Sequence, residues 1–154
     1  MIQRIQTVFL LFAIFLIGMI FWLPLGEVAV DNHIYVYDYH GFSEETANGL
    51  QLLQESYSMI MFISIIIAIN LVAIFMFKNR KLQMRLAMYN LILMVAMTGL
   101  SVYMLYHNFG EYKQAVISFD YAITFPLIAA VLNYLAFVRI RRDEALVRSI
   151  DRIR

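Results

Sequence analysis

Apolar residues are concentrated in four long stretches that alternate with polar segments along the chain. The stretches cover about residues 5–26, 57–77, 86–106 and 121–142, close to the roughly 20 residues that a helix needs to cross a bilayer. No charged residue interrupts the centre of any stretch. The first is longer than the apolar core of a secretory signal, so we expect an uncleaved span. The pattern predicts an all-α membrane protein whose four transmembrane helices form a bundle.

The composition agrees with a membrane location. Of the 154 residues, 62% are hydrophobic and only 15% are charged, whereas a soluble domain has about 25% charged residues. Four spans would occupy more than half of the chain, which predicts a single integral membrane domain over residues 1–154. The absence of cysteine excludes thiol catalysis and iron–sulfur ligation. We therefore expect neither enzymatic activity nor a cofactor.

The charged residues between the stretches predict the orientation. Segment 27–56 contains acids but no Lys or Arg, whereas segment 78–85 and the end of the chain are rich in both. Of the 12 Lys and Arg residues, only Lys113 lies on the acidic side. Because Lys and Arg in short loops are retained in the cytoplasm, loop 78–85, the tail 143–154 and both termini are predicted to be cytoplasmic. Loops 27–56 and 107–120 then face outward from a bacterial inner membrane.

The first outer loop has the pattern of a small β-structure. Residues 28–30 and 33–39 are rich in β-branched and aromatic side chains around a turn, which is typical of a hairpin. Its tyrosines alternate, so Tyr35, Tyr37 and Tyr39 would share one face. Residues 112–119 of the second outer loop also alternate, and we expect them to pair with the hairpin in an extracytoplasmic cap. Ser43, followed by two glutamates, is typical of the N-cap of a short helix over 43–53.

Three histidines, His33, His40 and His107, all belong to the predicted outer loops. Imidazole and carboxylate are suitable ligands for zinc or copper, so a metal site is a possible interpretation. No pair has the spacing of a recognised metal motif. We therefore expect no metal and interpret the histidines as solvated or packed against the cap.

Three asparagines occur inside the predicted spans. Asn70, Asn90 and Asn133 each lie five to eight residues from the basic end of their span, which places all three roughly 8 to 12 Å inside the cytoplasmic boundary. The preferred interpretation is a polar layer that clamps the helices through interhelical hydrogen bonds. The alternative is a binding or permeation site. Ion-coupled transport is disfavoured, because no charged residue lies in the interior of any predicted span.

The end of the chain has an amphipathic helical pattern. Apolar residues recur at the spacing of one helix face, while arginines cover the other face; the residues predicted to contact a partner or lipid are Leu146, Val147, Ile150, Ile153, Arg148 and Arg152. Such a helix binds anionic membrane lipid or a protein partner. Nucleic-acid binding is not expected, because acids interrupt the arginines.

Both ends of the chain resemble a known family. The opening Met1-Ile2-Gln3-Arg4-Ile5-Gln6-Thr7-Val8, the end of the first stretch at Leu23-Pro24-Leu25, and the closing segment from Asp143 to Arg154 are similar to four-span inner-membrane proteins of Bacteroidetes-type bacteria. These form the domain-of-unknown-function family 4293. The resemblance covers the whole chain and implies a bacterial inner-membrane location. It supplies neither an activity nor catalytic residues.

The function predicted from these features is that of a non-enzymatic scaffold. We expect a subunit of a larger cell-envelope complex that binds a protein partner, or a second copy of itself, through the outer cap and the tail. The alternative is a small transporter or channel component that uses the asparagine layer. A membrane enzyme ranks third, since the acids of the outer loop accompany no nucleophile or metal ligand at diagnostic spacing.

Overall fold

The described residues of the protein form four helices and five strands. A computed structural model describes residues 3–30, 33–46, 49–77, 79–110, 112 and 114–151, with the backbone alone for 3, 4 and 147–151. The helices are α1 (Gln3–Met19), α2 (Tyr57–Phe75), α3 (Arg80–Phe109) and α4 (Phe125–Asp151), with a 3₁₀ turn, Tyr121–Thr124, directly before α4. The strands are β1 (Gly26–Val30), β2 (His33–Tyr37), β3 (Gly41–Thr46), β4 (Gly49–Glu55) and β5 (Val116–Phe119).

The helices pack side by side in a helical unit. α1 and α3 each contact both α2 and α4, and each helix buries one stripe of side chains. On α3 this stripe recurs every three or four residues, which is the period of one helix face; it consists of Gln83, Ala87, Asn90, Met94, Met97, Ser101 and Leu105. The amide of Gln6 donates a hydrogen bond to the carboxylate of Asp143. The start of α1 and the last part of α4 therefore lie at the same end of the unit, which we call the basic end.

The prediction of an all-α bundle with four spans is wrong. The chain also forms a five-stranded antiparallel sheet, and among the described residues three helical segments are long and apolar enough to cross a membrane: Tyr57–Phe75, Arg80–Phe109 and Tyr121–Leu146. α1 has 17 residues, about 25 Å of helix against a hydrocarbon core of about 30 Å. The apolar stretch continues past Met19, but there each of the next three N–H groups bonds the carbonyl three residues earlier, and Pro24 cannot extend a helix.

The sheet has the strand order β4-β3-β2-β1-β5. β1 and β2 form an antiparallel hairpin in which Val28 lies opposite Tyr35, and β5 pairs with the other edge of β1. These pairings agree with the alternation of side chains along 28–39 and 112–119. Of the described residues in the second outer loop, 116–119 belong to the sheet.

The prediction of a helix over residues 43–53 is wrong for the described residues of this segment. Residues 43–46 and 49–53 instead belong to β3 and β4, which pair with each other, and β3 also pairs with β2. The pattern of Ser43 followed by two glutamates suits a helix N-cap, but it is equally compatible with a strand that has one face exposed. The overlooked signal is Asn48-Gly49, because this dipeptide is the strongest short-range marker of a hairpin turn.

The sheet lies against the end of α3 that is farthest from the basic end. Leu105 contacts β1 so closely that a Cβ atom on Gly26 would come within 3.1 Å of its side chain. The ring of Phe109 packs edge-on against Phe42 at 5.3 Å between centroids, and Phe42 stacks on Tyr37 at 4.5 Å. One apolar core therefore continues from the helices into the inner face of the sheet.

Candidate functional site

The outermost strand, β4, is exposed along its whole length. All seven of its residues are exposed, including Leu50, Leu52 and Leu53, whose exposed fractions are 59%, 44% and 56%. Natural proteins commonly protect such an edge with Lys, Pro or a covering segment, because its free N–H and C=O groups can pair with another chain. β4 contains neither Lys nor Pro. We call β4 with its three leucines the open edge.

A β-bulge lies at the two adjacent leucines of β4. Phe42 pairs with Gln54, but the next residue of β3, Ser43, pairs with Leu52. Leu53 is therefore an extra residue on β4, and such a bulge bends the strand and increases its twist. The bulge belongs to the edge strand, so it leaves the pairing of β1, β2 and β3 regular.

The surface beside the open edge is acidic. A cleft of about 340 Å³ is lined by Leu50 of β4, by Trp22 after α1, and by the carboxylates of Glu27, Asp38 and Glu45. Segment 27–56 contains no Lys or Arg to balance these carboxylates. The combination of exposed leucines and uncompensated acids suits a binding partner that brings apolar and basic groups together.

The three tyrosines of the hairpin region have different environments. Tyr37 is completely buried and Tyr35 and Tyr39 are half-buried. The hydroxyl of Tyr37 has no hydrogen-bond partner. Its burial, with a smaller contribution from the Asp38 carboxylate, raises the pKa of Tyr37 above its ordinary value. Tyr37 is thus a core residue of the cap, which leaves β4 rather than the tyrosines as the exposed surface.

The three histidines make contacts with different residues. Nδ1 of His33 lies 2.6 Å from Oε1 of Glu44, His40 packs against Tyr39, and His107 stacks on Tyr103. Within the described part of the chain, no group of three His, Cys, Asp or Glu side chains could hold a metal ion.

The structure buries all three asparagines completely. Nδ2 of Asn90 on α3 donates to the carbonyl of Ile66 on α2 at 3.1 Å. Nδ2 of Asn133 on α4 donates to Sδ of Met94 on α3 at 3.5 Å and to its own helix at 3.4 Å. Neither amide atom of Asn70 has a partner, and the amide oxygens of Asn90 and Asn133 also have none. The observed bonds run from amide to backbone or sulfur rather than from amide to amide.

The tail continues the last helix, since α4 ends at Asp151. Leu146 is exposed. The side chains of Val147, Arg148 and Ile150, and residues Arg152 and Ile153 altogether, lie outside the described parts of the chain. The apolar stripe predicted for the tail therefore remains a prediction beyond Leu146.

Fold and site together define a class of protein. Three helices among the described residues are long and apolar enough to span a membrane, which is typical of a membrane protein. The sequence profile of the family described as Domain of unknown function (DUF4293) matches residues 2–153, and the chain belongs to this family. The resemblance of the two chain ends is thereby confirmed. No curated protein matches the chain.

Proposed function

We propose that the protein is a non-enzymatic subunit of a cell-envelope complex in the bacterial inner membrane. In this proposal the basic end and both termini face the cytoplasm and the sheet faces outward. The distribution of charge supports this orientation: Arg80, Lys81 and Arg85 begin α3 at one end, and the acidic sheet lies at the other. Lys and Arg in short loops are retained on the cytoplasmic side.

The open edge is the observation that carries the proposal. A strand with unpaired backbone groups and three exposed leucines is unfavourable in water unless something covers it. Addition of an extended segment as a sixth strand would satisfy its backbone groups and bury the leucines, a recurring mode of protein recognition.

The acids around β4 determine the kind of partner. Glu45 lies directly opposite Leu50, and Glu55 ends the strand. A second copy would bring a second acidic surface, from a segment 27–56 that contains no Lys or Arg, against this one, and like charges that face each other at an interface are unfavourable. We therefore infer a different protein, whose docking segment combines apolar residues with Lys or Arg. The tail beyond Leu146 provides a second contact on the cytoplasmic side.

Site-specific crosslinking tests this function. A photoreactive amino acid at Gln51, which is exposed on β4, should yield one adduct of defined mass in cells. Replacing both Leu50 and Leu52 with Glu should reduce the adduct about tenfold, equivalent to a loss of about 1.4 kcal/mol of binding free energy. A variant that ends at Leu146 keeps the bond from Gln6 to Asp143 and should weaken the adduct less.

The opposite edge of the sheet provides the matched control. Val116 on β5 is also apolar and 63% exposed, so Val116→Glu should leave the adduct at Gln51 unchanged. An adduct of twice the mass of this chain, with no other protein in it, would mean that the partner is a second copy of the chain and not a different protein. An adduct that survives the two leucine substitutions, or none at all, would contradict the role of the open edge.

A second candidate function is favoured by the unpartnered amides. Asn70, Asn90 and Asn133 together place four polar atoms without partners in the apolar interior, and such atoms are unfavourable unless water or a polar solute binds them. A transporter or channel component would use this layer to pass a small neutral solute. The asparagines lie in helix segments 57–75, 86–109 and 121–138, which contain no Asp, Glu, Lys or Arg, and this supports a neutral solute.

A further inference from the structure

A groove runs between α3 and α4 at the basic end. Its volume is about 590 Å³, and the sheet and the asparagines take no part in it. Its walls are formed by Lys81, Met84, Arg85 and Met88 of α3 and by Phe137, Arg141, Glu144 and Ala145 of α4. The lining residues follow the pattern i, i+3, i+4, i+7 on α3 and i, i+4, i+7, i+8 on α4, so they form one continuous stripe on each helix.

The lining changes from charged to apolar along the groove. Lys81 is the second residue of α3, at the basic end. Met88 lies seven residues after Lys81, about 10 Å closer to the centre of the helical unit. α4 runs in the opposite direction, so Phe137 is its most interior lining residue and Arg141 lies one turn nearer the basic end. The cations therefore lie at the mouth of the groove and the apolar side chains lie at its inner end.

The charge of the mouth is not balanced. Lys81, Arg85 and Arg141 are exposed, and none of them forms an ion pair with any part of the chain that the structure describes. Glu144 is the single carboxylate among the lining residues that are described. Three cations with one carboxylate leave an excess of positive charge, to which an anion can bind.

We propose that this groove binds one anionic phospholipid of the cytoplasmic leaflet. Arg85, Arg141 and Lys81 bind its phosphate, since guanidinium and ammonium groups donate charge-assisted hydrogen bonds to phosphate oxygens. The acyl chains lie along Met88 and Phe137. A free phosphate would use the cations but not this apolar inner end. A zwitterionic lipid would bring its own cation into a mouth that is already positive.

Native mass spectrometry of the purified full-length protein tests the site. Phosphatidylglycerol should remain bound at one molecule per chain, and phosphatidylcholine should be retained about tenfold less. The double variant Arg85→Gln/Arg141→Gln should lose the phosphatidylglycerol preference. Its matched control is Arg139→Gln/Arg142→Gln, which removes the same charge from two exposed arginines of α4 that do not line the groove, and it should retain the preference.

Several results would overturn the proposal. Equal loss in both double variants would mean that the total charge, and not the groove, attracts the lipid. Protection against thermal unfolding by glycerol phosphate, equal to that by phosphatidylglycerol, would assign the mouth to a soluble phosphate. The melting temperature of each variant without lipid shows whether the fold is intact. The site rests on the membrane location proposed above, but the assay uses purified protein, so its failure would leave the orientation and the open edge standing.

Discussion

Replacing Gly41 with alanine should destabilise the cap by about 3 kcal/mol, because two effects act at one position. Gly41 has φ +137°, in the region that L-residues avoid, and an added Cβ would lie 2.0 Å from the carbonyl oxygen of Gln54. It belongs to the tight turn between β2 and β3, where Asp38 accepts hydrogen bonds from the N–H groups of His40 and Gly41 at 2.7 and 3.2 Å. Gly41 pairs with Glu55 of β4, so neither the turn nor β4 can move away from the added Cβ without breaking the pairing of β3 with β4. Thermal unfolding, followed by protease resistance of the sheet, measures the effect.

Gly49 is the matched control for this substitution. Its φ of +109° is also unfavourable for alanine, but no atom lies within 4 Å of the added Cβ. Gly49→Ala should therefore cost only about 1 kcal/mol of backbone strain. If both variants lost the same stability, the clash with Gln54 would not exist and the packing of β3 on β4 would be wrong.

Replacing Asn70 with leucine should stabilise the helical unit by about 1 to 3 kcal/mol, the cost of burying a polar group without partners. Asn70 is completely buried and neither atom of its amide is hydrogen-bonded. Asn90→Leu removes a similar group but also the bond to Ile66. It should be less favourable than Asn70→Leu by about 1 kcal/mol, the usual strength of such interhelical bonds. Unfolding in graded denaturing detergent measures both.

The same variants distinguish the two candidate functions. If the asparagine layer passes a neutral solute, Asn70→Leu should abolish the swelling of proteoliposomes in that solute, although the protein becomes more stable. If the layer only fixes the packing of helices, swelling is absent in the wild type as well. A loss of stability in Asn70→Leu would mean that a bound molecule satisfies the amide of Asn70. This would favour a solute-binding layer over a layer that only fixes the packing of helices.

Half of the sheet could be predicted from the sequence. In β1 buried and exposed side chains alternate strictly, and the residue types of β2 and β5 alternate in the sequence, so these three strands are visible in the chain. In β3 and β4 the alternation is weak, because β4 is exposed on both faces and has two adjacent leucines at its bulge. β3 buries Gly41, Phe42 and Ser43 in succession and so does not alternate either, and local patterns such as Ser43 with two glutamates favour the wrong element.

The helices show a similar limit. The apolar stretches locate α2, α3 and α4, but apolar character alone does not tell an α-helix from the 3₁₀-type turn that follows Met19, so α1 is shorter than expected. Depth along each span places Asn70, Asn90 and Asn133 near one level. Which acceptor each amide reaches depends on helix rotation to within a fraction of a turn, and a single sequence does not contain that information.

Cysteine labelling tests the central claim, which is that the sheet lies outside the membrane and the basic end inside. The chain has no cysteine, so a single substitution reports one position without background. In intact spheroplasts, a membrane-impermeant maleimide should label Ser118→Cys on the sheet and should label Arg142→Cys on α4 only after lysis. Labelling of Arg142→Cys in intact spheroplasts, with Ser118→Cys protected until lysis, would mean that the protein has the opposite orientation in the membrane and would contradict the proposed function.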